Sequence, residues 1–473
     1  MALKYNSVYW ECACLSVNAG SSNNLSPEDY EEDETEEEGE ETENISEDKS
    51  SAPDYGKISR AIAETQARGV RVAPPYISEA INEFKPDAGE NQILFSLTAV
   101  TGVNQELYSR IIAARSTTPF TSLQDFVDRI NPTKVQMINM IKAGCFDELY
   151  PPETYRGHIM RDYVSYLADQ SVSRKEKLTM ANFEKLVSYD LLPASHEISR
   201  RVWRYKKFMT EHCFDKESKR FLLTAQNTLK FFNEYYADNL TLGKDYDTIP
   251  SGYAVKKAAF DRVTNKYMSE LKDWLASDEA CDLFYRAEKK KAFDDVWDKY
   301  CTGSVSHWEM QSLHYYYHEH ELAHVNTSRY RIVDFDSLPE APTVLGTKKG
   351  RDGQDIPVYD VKAICGTVIN SDNNKHIVTL LTHNGKVVDV KFYAGSYIYY
   401  NKVLSTIDEK GTKHRIEGSW FDRGTLLLIS GVRRELSFLP KTDWSKGFKH
   451  SVQLITRVNE DGSLTLKEDR EKI

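Results

Sequence analysis

A glycine-centred turn at Gly102 is the first place where residue types and spacing in this sequence indicate chemistry. The turn precedes Leu107 and Ile111, which recur with helical spacing. Such a turn leaves backbone N–H groups at the start of a helix, where the partial positive charge favours a phosphate. Gly102, Val103 and Asn104 are therefore predicted to contact a nucleic-acid backbone, although an ordinary helical hairpin would show the same spacing.

A second candidate site lies near residue 390, where aromatic and basic side chains occur together. Lys386, Lys391, Tyr393 and Tyr397 are predicted to hold a single strand, because bases stack on aromatic rings in a basic groove. Phe392 falls between Lys391 and Tyr393, so on a strand its ring would point to the other face and into a core. For Tyr393 the pattern leaves both base stacking and core packing open.

Four histidines include two pairs at i, i+4 spacing, which on one helix face could ligate a metal. They are His314, His318, His320 and His324. Three consecutive tyrosines run through this group and no cysteine or aspartate lies beside it, so we predict no metal site here. Cys12 and Cys14 lack the second cysteine pair that a structural zinc site needs.

No pattern in the sequence predicts a catalytic centre. We find no paired carboxylates in a context for two-metal phosphoryl transfer, no P-loop, no dinucleotide fingerprint and no Ser-His-Asp order. The acidic residues cluster instead at 28–48, which holds fourteen Asp and Glu and no Lys or Arg. The sequence therefore predicts no catalytic residue, no metal and no cofactor in this chain.

The acidic run dominates the charge of the chain. Removing its fourteen negative charges from the net charge of −11 leaves +3 for the remainder, which permits nucleic-acid binding. The run is too charged and too poor in apolar residues to form a core. It is predicted to be either a solvated linker or a mimic of nucleic acid that screens a basic groove.

The composition is that of an intracellular protein with several domains. A chain of 473 residues, 40% of them hydrophobic, has room for about two to four domains. No apolar run approaches the roughly 18–20 residues of a membrane helix, and the first residues do not resemble a signal peptide. Seven cysteines without regular pairing indicate a reducing compartment.

The elements that must position these residues predict a multidomain α+β protein, mostly helical in its first two-thirds. Residues 1–20 are predicted to be a short structured piece, 21–54 an acidic disordered segment, and 55–150 a helix-hairpin-helix-like domain. In that domain Thr121 or Ser122 is expected to cap a helix. The pattern at 151–330 is that of almost continuous helix, within a predicted helical region at 151–345.

After residue 355 the hydrophobic period changes from helical to two, which predicts strands. Asn384-Gly385 between two such runs predicts a type I′ hairpin. Further strands are expected at 426–430 and 452–455, with a helical piece at 394–402 between the third and fourth strands. Five short strands with a helix in that place predict that 355–473 forms a β-barrel of the OB-fold type.

Four motifs, in order and at family-like spacing, resemble the alpha subunit of bacterial DNA polymerase III, the C-family replicative polymerase. They read RGVRVAPPYIS (68–78), ILFSLTAVTGV (93–103), PFTSLQDF (119–126) and MIKAGCFDEL (140–149). A fifth stretch, WEMQSLHYYYHEHEL (308–322), is similar to a Trp-Glu motif of that family and accounts for His320 without a metal. Asn104 departs from the family by replacing the second glycine of the turn.

This resemblance implies a non-catalytic C-terminal portion of a replicative polymerase. It implies contacts with duplex and single-stranded DNA, and with the sliding clamp through Gln226, Leu229 and Phe231. Residues 1–20 look like the end of the fingers, and the PHP and palm domains have no counterpart. A separate N-terminal chain would therefore carry the palm, the PHP domain and Mg²⁺.

Such a split polymerase is expected of a bacteriophage, and would act in the cytoplasm of its bacterial host. The alternative is a stand-alone DNA-binding or clamp-associated accessory protein without a polymerase partner.

Overall fold

The computed structural model describes residues 7–19, 55–350, 353–407, 412–441 and 451–470. The acidic segment predicted at 21–54 lies outside them. Contacts divide the chain into two units. Unit 1 holds the described residues up to Arg161 and from Cys301 onward, and unit 2 is Asp162–Tyr300. Among the described residues, no helix combines the length and apolar character needed to cross a membrane.

Unit 1 opens with two helices and a small sheet that precede the Gly102 turn. These elements are α1 (Ser7–Ala19), α2 (Tyr55–Ala67), β1 (Arg71–Ala73), β2 (Lys85–Asp87) and β3 (Gln92–Leu94). Strand β3 is central, parallel to β1 and antiparallel to β2. Gly69 follows α2 with φ +82°, a conformation that favours glycine at the end of a helix. The predicted stop of this helix at Gly69 is confirmed.

Three helices follow the turn: α3 (Gln105–Thr117), α4 (Leu123–Ile130) and α5 (Lys134–Lys142). Ser122 is the N-cap of α4, since its Oγ accepts from the amide of Asp125 at 3.1 Å. Phe126 is fully buried, with its ring centroid 5.0 Å from that of Phe120 and 4.9 Å from that of Phe146. Burying one such ring contributes about 1.5–3 kcal/mol, which holds the three helices together.

Unit 2 contains a four-stranded antiparallel sheet among its helices, so the prediction of almost continuous helix is wrong here. Helix α6 (Arg156–Ser171) leads into the unit. It is followed by α7 (Met180–Ser188), α8 (Glu197–Phe208), β4 (Phe214–Asp215), β5 (Arg220–Leu223), α9 (Gln226–Tyr235), β6 (Tyr246–Ile249), β7 (Gly252–Lys256), α10 (Lys257–Leu275) and α11 (Asp278–Tyr300). The strand order is β4-β5-β7-β6. Strands of two to five residues are too short to show period two among helical patterns.

The chain re-enters unit 1 through α12 (Val305–Leu313), α13 (Thr327–Tyr330) and a hairpin of β8 (Val344–Lys349) and β9 (Asp355–Tyr359). His314 ends α12 in the left-handed conformation, with φ +63°. The histidines that follow it are therefore not on a helix, and the argument for metal ligation from i, i+4 spacing is wrong. The described residues contain no group of three or more His, Cys, Asp or Glu side chains that could hold a metal.

The C-terminal part is a closed five-stranded barrel, as predicted. Its elements, with their appended strands, are β10 (Lys362–Asp372), β11 (Ile377–Thr382), β12 (Val387–Lys391), α14 (Ala394–Asn401), β13 (Leu404–Ile407), β14 (Lys413–Glu417), β15 (Leu426–Arg434), β16 (Ser437–Pro440), β17 (Val452–Val458) and β18 (Leu464–Lys467). The strand order β10-β11-β12-β16-β15 closes through a β10–β15 pairing, with β12 and β16 parallel. Helix α14 precedes the fourth barrel strand, which is the OB-fold arrangement.

Two details of the barrel differ from the sequence prediction. The fifth barrel strand is β16, whereas the strand predicted at 452–455 is β17, which pairs with β15 outside the ring. The hairpin at Asn384-Gly385 is present, but only Gly385 has a positive φ, of +80°. A type I′ turn needs positive φ at both residues, so this turn is of another type.

Candidate nucleic-acid interface

The turn before α3 places glycine where the backbone requires it. Gly102 has φ +84°, in the left-handed region that other residues adopt at a cost. Val103 is fully buried, and its amide donates to the carbonyl of Val100 at 3.0 Å. Asn104 caps α3 by accepting from the amide of Leu107 at 2.9 Å. The amide of Val103 is therefore used in the hydrogen bonding of the turn, and the Asn104 side chain is used as the cap of α3.

The donors left at this helix start are backbone amides. Among the described residues, the amides of Gly102, Gln105 and Glu106 have no protein acceptor. The Nδ2 of Asn139 lies 3.2 Å from where a Cβ on Gly102 would be, so it borders the same turn. The Glu106 carboxylate would repel an anion bound at this turn, and Arg110 Nε lies 3.9 Å from that carboxylate. The geometry suits a phosphate contact made by main-chain amides rather than by a basic side chain.

The Trp-Glu motif supplies a buried charge at the centre of unit 1. Glu309 is fully buried and accepts from Arg156 Nη1 at 3.0 Å and from the amides of Tyr317 and His318 at 2.9 and 3.0 Å. Its Oε1 lies 2.6 Å from His318 Nδ1. Burial opposes the charge of Arg156, but the carboxylates of Asp147 and Glu309 raise its pKa above the ordinary value. We call α3–α5 and the start of α6 the hairpin region. The motif therefore joins the hairpin region to the chain that follows α12.

Two further groups, the buried Lys142 at the end of α5 and the half-buried His320 of the Trp-Glu motif, are also structural. Lys142 Nζ donates to Gln311 Oε1 at 2.8 Å, and burial lowers the pKa of Lys142 to about 8. Gln311 Nε2 in turn lies 2.9 Å from His307 Nε2. His320 Nε2 lies 3.1 Å from the carbonyl of Leu381, and burial lowers the pKa of His320 to about 4. His320 is therefore neutral at neutral pH and donates to the barrel backbone.

The proposed single-strand surface is centred on Tyr393, which is 69% exposed at the N-cap of α14. Lys441 Nζ lies 5.3 Å from the centroid of this ring, close enough for a cation–π contact. Lys391 is exposed two residues earlier on β12. Lys386 is exposed too, but its Nζ lies 3.0 Å from Asp336 Oδ2, which neutralises part of its charge. An aromatic ring with basic neighbours is the arrangement that binds single strands.

Tyr397 does not belong to this surface, and its predicted stacking role is wrong for this conformation. It is 2% exposed, donates to Asn373 Oδ1 at 2.8 Å, and lies 5.2 Å from the Phe421 ring. The exposed tyrosine of α14 is instead Tyr399, at 48%. From the sequence, only the positions of these two tyrosines around the axis of α14 could have indicated which one is buried. Phe392 is a core residue of the barrel, as alternation predicted.

Comparison with known proteins places these elements in a family context. Residues 69–154 match the helix-hairpin-helix motif family. Across 99% of its length the chain is 32% identical to the probable DNA polymerase YorL of Bacillus subtilis strain 168. Identity and coverage are the same for the DNA-directed DNA polymerase of Bacillus phage SPbeta. Along almost its whole length the chain is therefore similar to bacterial and phage DNA polymerases.

The likeness extends in part to the replicative enzymes. Over 228 residues, 46% of its length, the chain is 27% identical to DNA polymerase III subunit alpha of Chlamydia trachomatis. The predicted resemblance to that subunit is thus confirmed. The chain spans 34% of the length of the YorL and SPbeta proteins. It therefore corresponds to about a third of those polymerases.

The predicted clamp segment forms the first two turns of α9. Gln226 is exposed, whereas Leu229 and Phe231 are partly buried against the apolar core of unit 2. The Phe231 ring stacks on Tyr205 with centroids 4.3 Å apart. A segment that binds a partner in extended form would have to unwind this part of α9 and withdraw Phe231 from that stack.

Proposed function

We propose that this chain is a non-catalytic C-terminal portion of a replicative DNA polymerase that binds template–primer DNA. The observation that supports it most is the alignment of 99% of the chain with DNA polymerases about three times as long. The amides around Gly102 would hold the duplex backbone, and Tyr393 with Lys391 and Lys441 would hold the single strand. Both contacts are suited to a protein that slides, because neither reads a base sequence.

The catalytic work would belong to a separate chain. That chain would carry the palm and PHP domains, the carboxylates of the polymerase reaction and their Mg²⁺, as in a split phage polymerase. This part of the proposal is supported by the lack of a recognisable catalytic motif among these 473 residues. The chain described here would add DNA contacts to that catalytic part.

We expect the purified chain to incorporate no nucleotide on primed template with Mg²⁺, because none of its sequence patterns matches two-metal catalysis. Adding the separate chain that carries the palm and PHP domains should restore DNA synthesis. The two chains should also co-purify. Primer extension on a denaturing gel measures the first result, and size-exclusion chromatography measures the second. Robust extension by the homogeneous chain alone would contradict the proposal. DNA binding without any polymerase partner would instead favour a stand-alone accessory protein.

The sliding clamp is the second partner that we propose, with contacts through Gln226, Leu229 and Phe231. Gln226→Ala should weaken clamp binding several-fold and leave the melting temperature unchanged, since the side chain is exposed. Asn227→Ala, also exposed, is the matched control. Surface plasmon resonance on immobilised clamp measures the affinity. Phe231→Ala is expected to lower the melting temperature as well, because it removes a ring stacked on Tyr205. Equal clamp affinity for wild type and Gln226→Ala would rule this segment out.

A further inference from the structure

One irregular loop touches both parts of unit 1 that carry the proposed DNA surfaces. We name residues 314–322 the connecting loop; it follows α12 and lies within the Trp-Glu motif. Its consecutive side chains Tyr315 and Tyr316 are both buried, yet they bond to different parts of the unit. The first contacts the small sheet before the Gly102 turn, and the second contacts the barrel.

The end of α12 and the start of the connecting loop bond to Thr101, the residue immediately before Gly102. The amide of Thr101 donates to the carbonyl of Ser312 at 3.0 Å, and Thr101 Oγ1 lies 3.0 Å from His314 Nε2. The Tyr315 hydroxyl donates to the carbonyl of Val72 at 3.2 Å, and its ring stacks on that of Phe95 with centroids 5.4 Å apart. Thr101, immediately before the turn, is therefore bonded by its main chain to the end of α12 and by its side chain to the first residue of the connecting loop.

Three other residues of the connecting loop, Tyr316, His320 and Leu322, contact the barrel. The Tyr316 hydroxyl lies 2.7 Å from Thr367 Oγ1 on β10 and donates to Glu321 at 3.1 Å. His320 contacts the carbonyl of Leu381 on β11, as described above. Leu322 is fully buried in an apolar cluster with residues of β10, β15, β17 and β18. Buried polar groups that are all paired favour one arrangement, because any other leaves a donor or acceptor without a partner.

We infer that the connecting loop fixes the Gly102 turn and the Tyr393 surface at one spacing, with Thr101 and Tyr316 as positioning residues. This inference rests on the proposed function, since it concerns how the two DNA contacts act together. Two rigidly spaced contacts raise the effective concentration of the second once the first is made. The chain should therefore bind DNA that passes from duplex to single strand more tightly than either form alone.

The test uses DNA hairpin stems with a poly-dT extension of increasing length, the bare stem, and poly-dT alone. Anisotropy at one low salt concentration gives each Kd. For the wild type, affinity should rise above that of the bare stem and reach its maximum at one extension length. Tyr316→Phe removes only a hydroxyl and lies in neither DNA surface. It should weaken binding to the extended stem about three- to tenfold and leave the bare stem and poly-dT within about twofold.

Two controls separate positioning from folding. Thr101→Val should also weaken the extended stem, whereas Thr101→Ser, which keeps Oγ, should retain wild-type binding. Tyr236→Phe removes a buried hydroxyl that lies 2.9 Å from Thr264 Oγ1 within unit 2, outside the connecting loop, and should change no Kd. A wild type that binds neither stem nor poly-dT would overturn the proposed function. A wild type that binds both, with Tyr316→Phe and Thr101→Val unchanged on every DNA, would overturn only this inference.

Discussion

Replacing Glu309 with alanine should lower the free energy of unfolding of unit 1 by about 3–5 kcal/mol, the usual cost of removing one partner from a buried ion pair. The side chains of Arg156 and Glu309 are 3% and 0% exposed, so Arg156 would keep Asp147 as a partner but water could not replace Glu309. The amides of Tyr317 and His318 would lose their acceptor in the same change. Glu309→Gln keeps an acceptor oxygen and should therefore cost less than the alanine variant.

Hydrogen exchange in increasing urea, read by mass spectrometry on peptides from each unit, measures the loss in unit 1 separately from unit 2. Glu319→Ala is the matched control. Glu319 lies in the connecting loop that follows α12, but its side chain is 61% exposed, so the change should stay within about 0.5 kcal/mol. If Glu309→Ala costs no more than this control, the buried charge does not hold the hairpin region in place.

Gly102→Val and Tyr393→Ala should affect different DNA substrates. Valine at Gly102 must adopt φ +84°, which costs about 1–2 kcal/mol, and its side chain would crowd both Asn139 and an approaching phosphate. Duplex affinity should then fall about tenfold or more, with single-strand affinity nearly intact. Removing the Tyr393 ring should cost about 1–3 kcal/mol of single-strand binding if one base stacks on it, and leave duplex binding nearly unchanged.

Filter binding with matched duplex and single-strand oligonucleotides at one fixed salt concentration distinguishes the two effects. Gly243→Val introduces the same strain, at φ +77°, in unit 2 and should leave duplex affinity unchanged. Tyr155→Ala removes a ring that is 55% exposed and outside the barrel, so it controls for the loss of an aromatic surface. If both test variants weaken both substrates equally, the hairpin and the barrel form one continuous binding surface.

Local signals in the sequence were sufficient wherever a single residue decides a conformation. Gly69 and Ser122 end and begin helices as predicted, because positive φ and side-chain capping depend on the residue itself. The barrel was predictable because period two persists through β10, β11 and β12, with Phe392 buried as alternation requires. The family motifs added the relation to DNA polymerases, which periodicity does not contain.

The errors arose where distant packing decides the outcome. Tyr397 and Tyr399 are two residues apart on α14, and the barrel core accepts the first while leaving the second exposed. The sheet of unit 2 has strands of two to five residues, so pairing between them, rather than pattern within them, creates it. Lys441 was missed because 48 positions separate it from Tyr393 along the chain and only the fold brings it to that ring.

The two halves of unit 1 also differ in when they are synthesised. Arg156 leaves the ribosome before any part of unit 2, whereas its partner Glu309 follows only after Tyr300. Unit 2 is one continuous stretch and can fold while the barrel is still untranslated, since domains generally fold as units during synthesis. The hairpin region must therefore wait without the Glu309 partner of Arg156 until translation reaches the Trp-Glu motif. A ribosome stalled within 162–300 would hold a nascent chain whose first segment still lacks the ion pair and the barrel on which it rests.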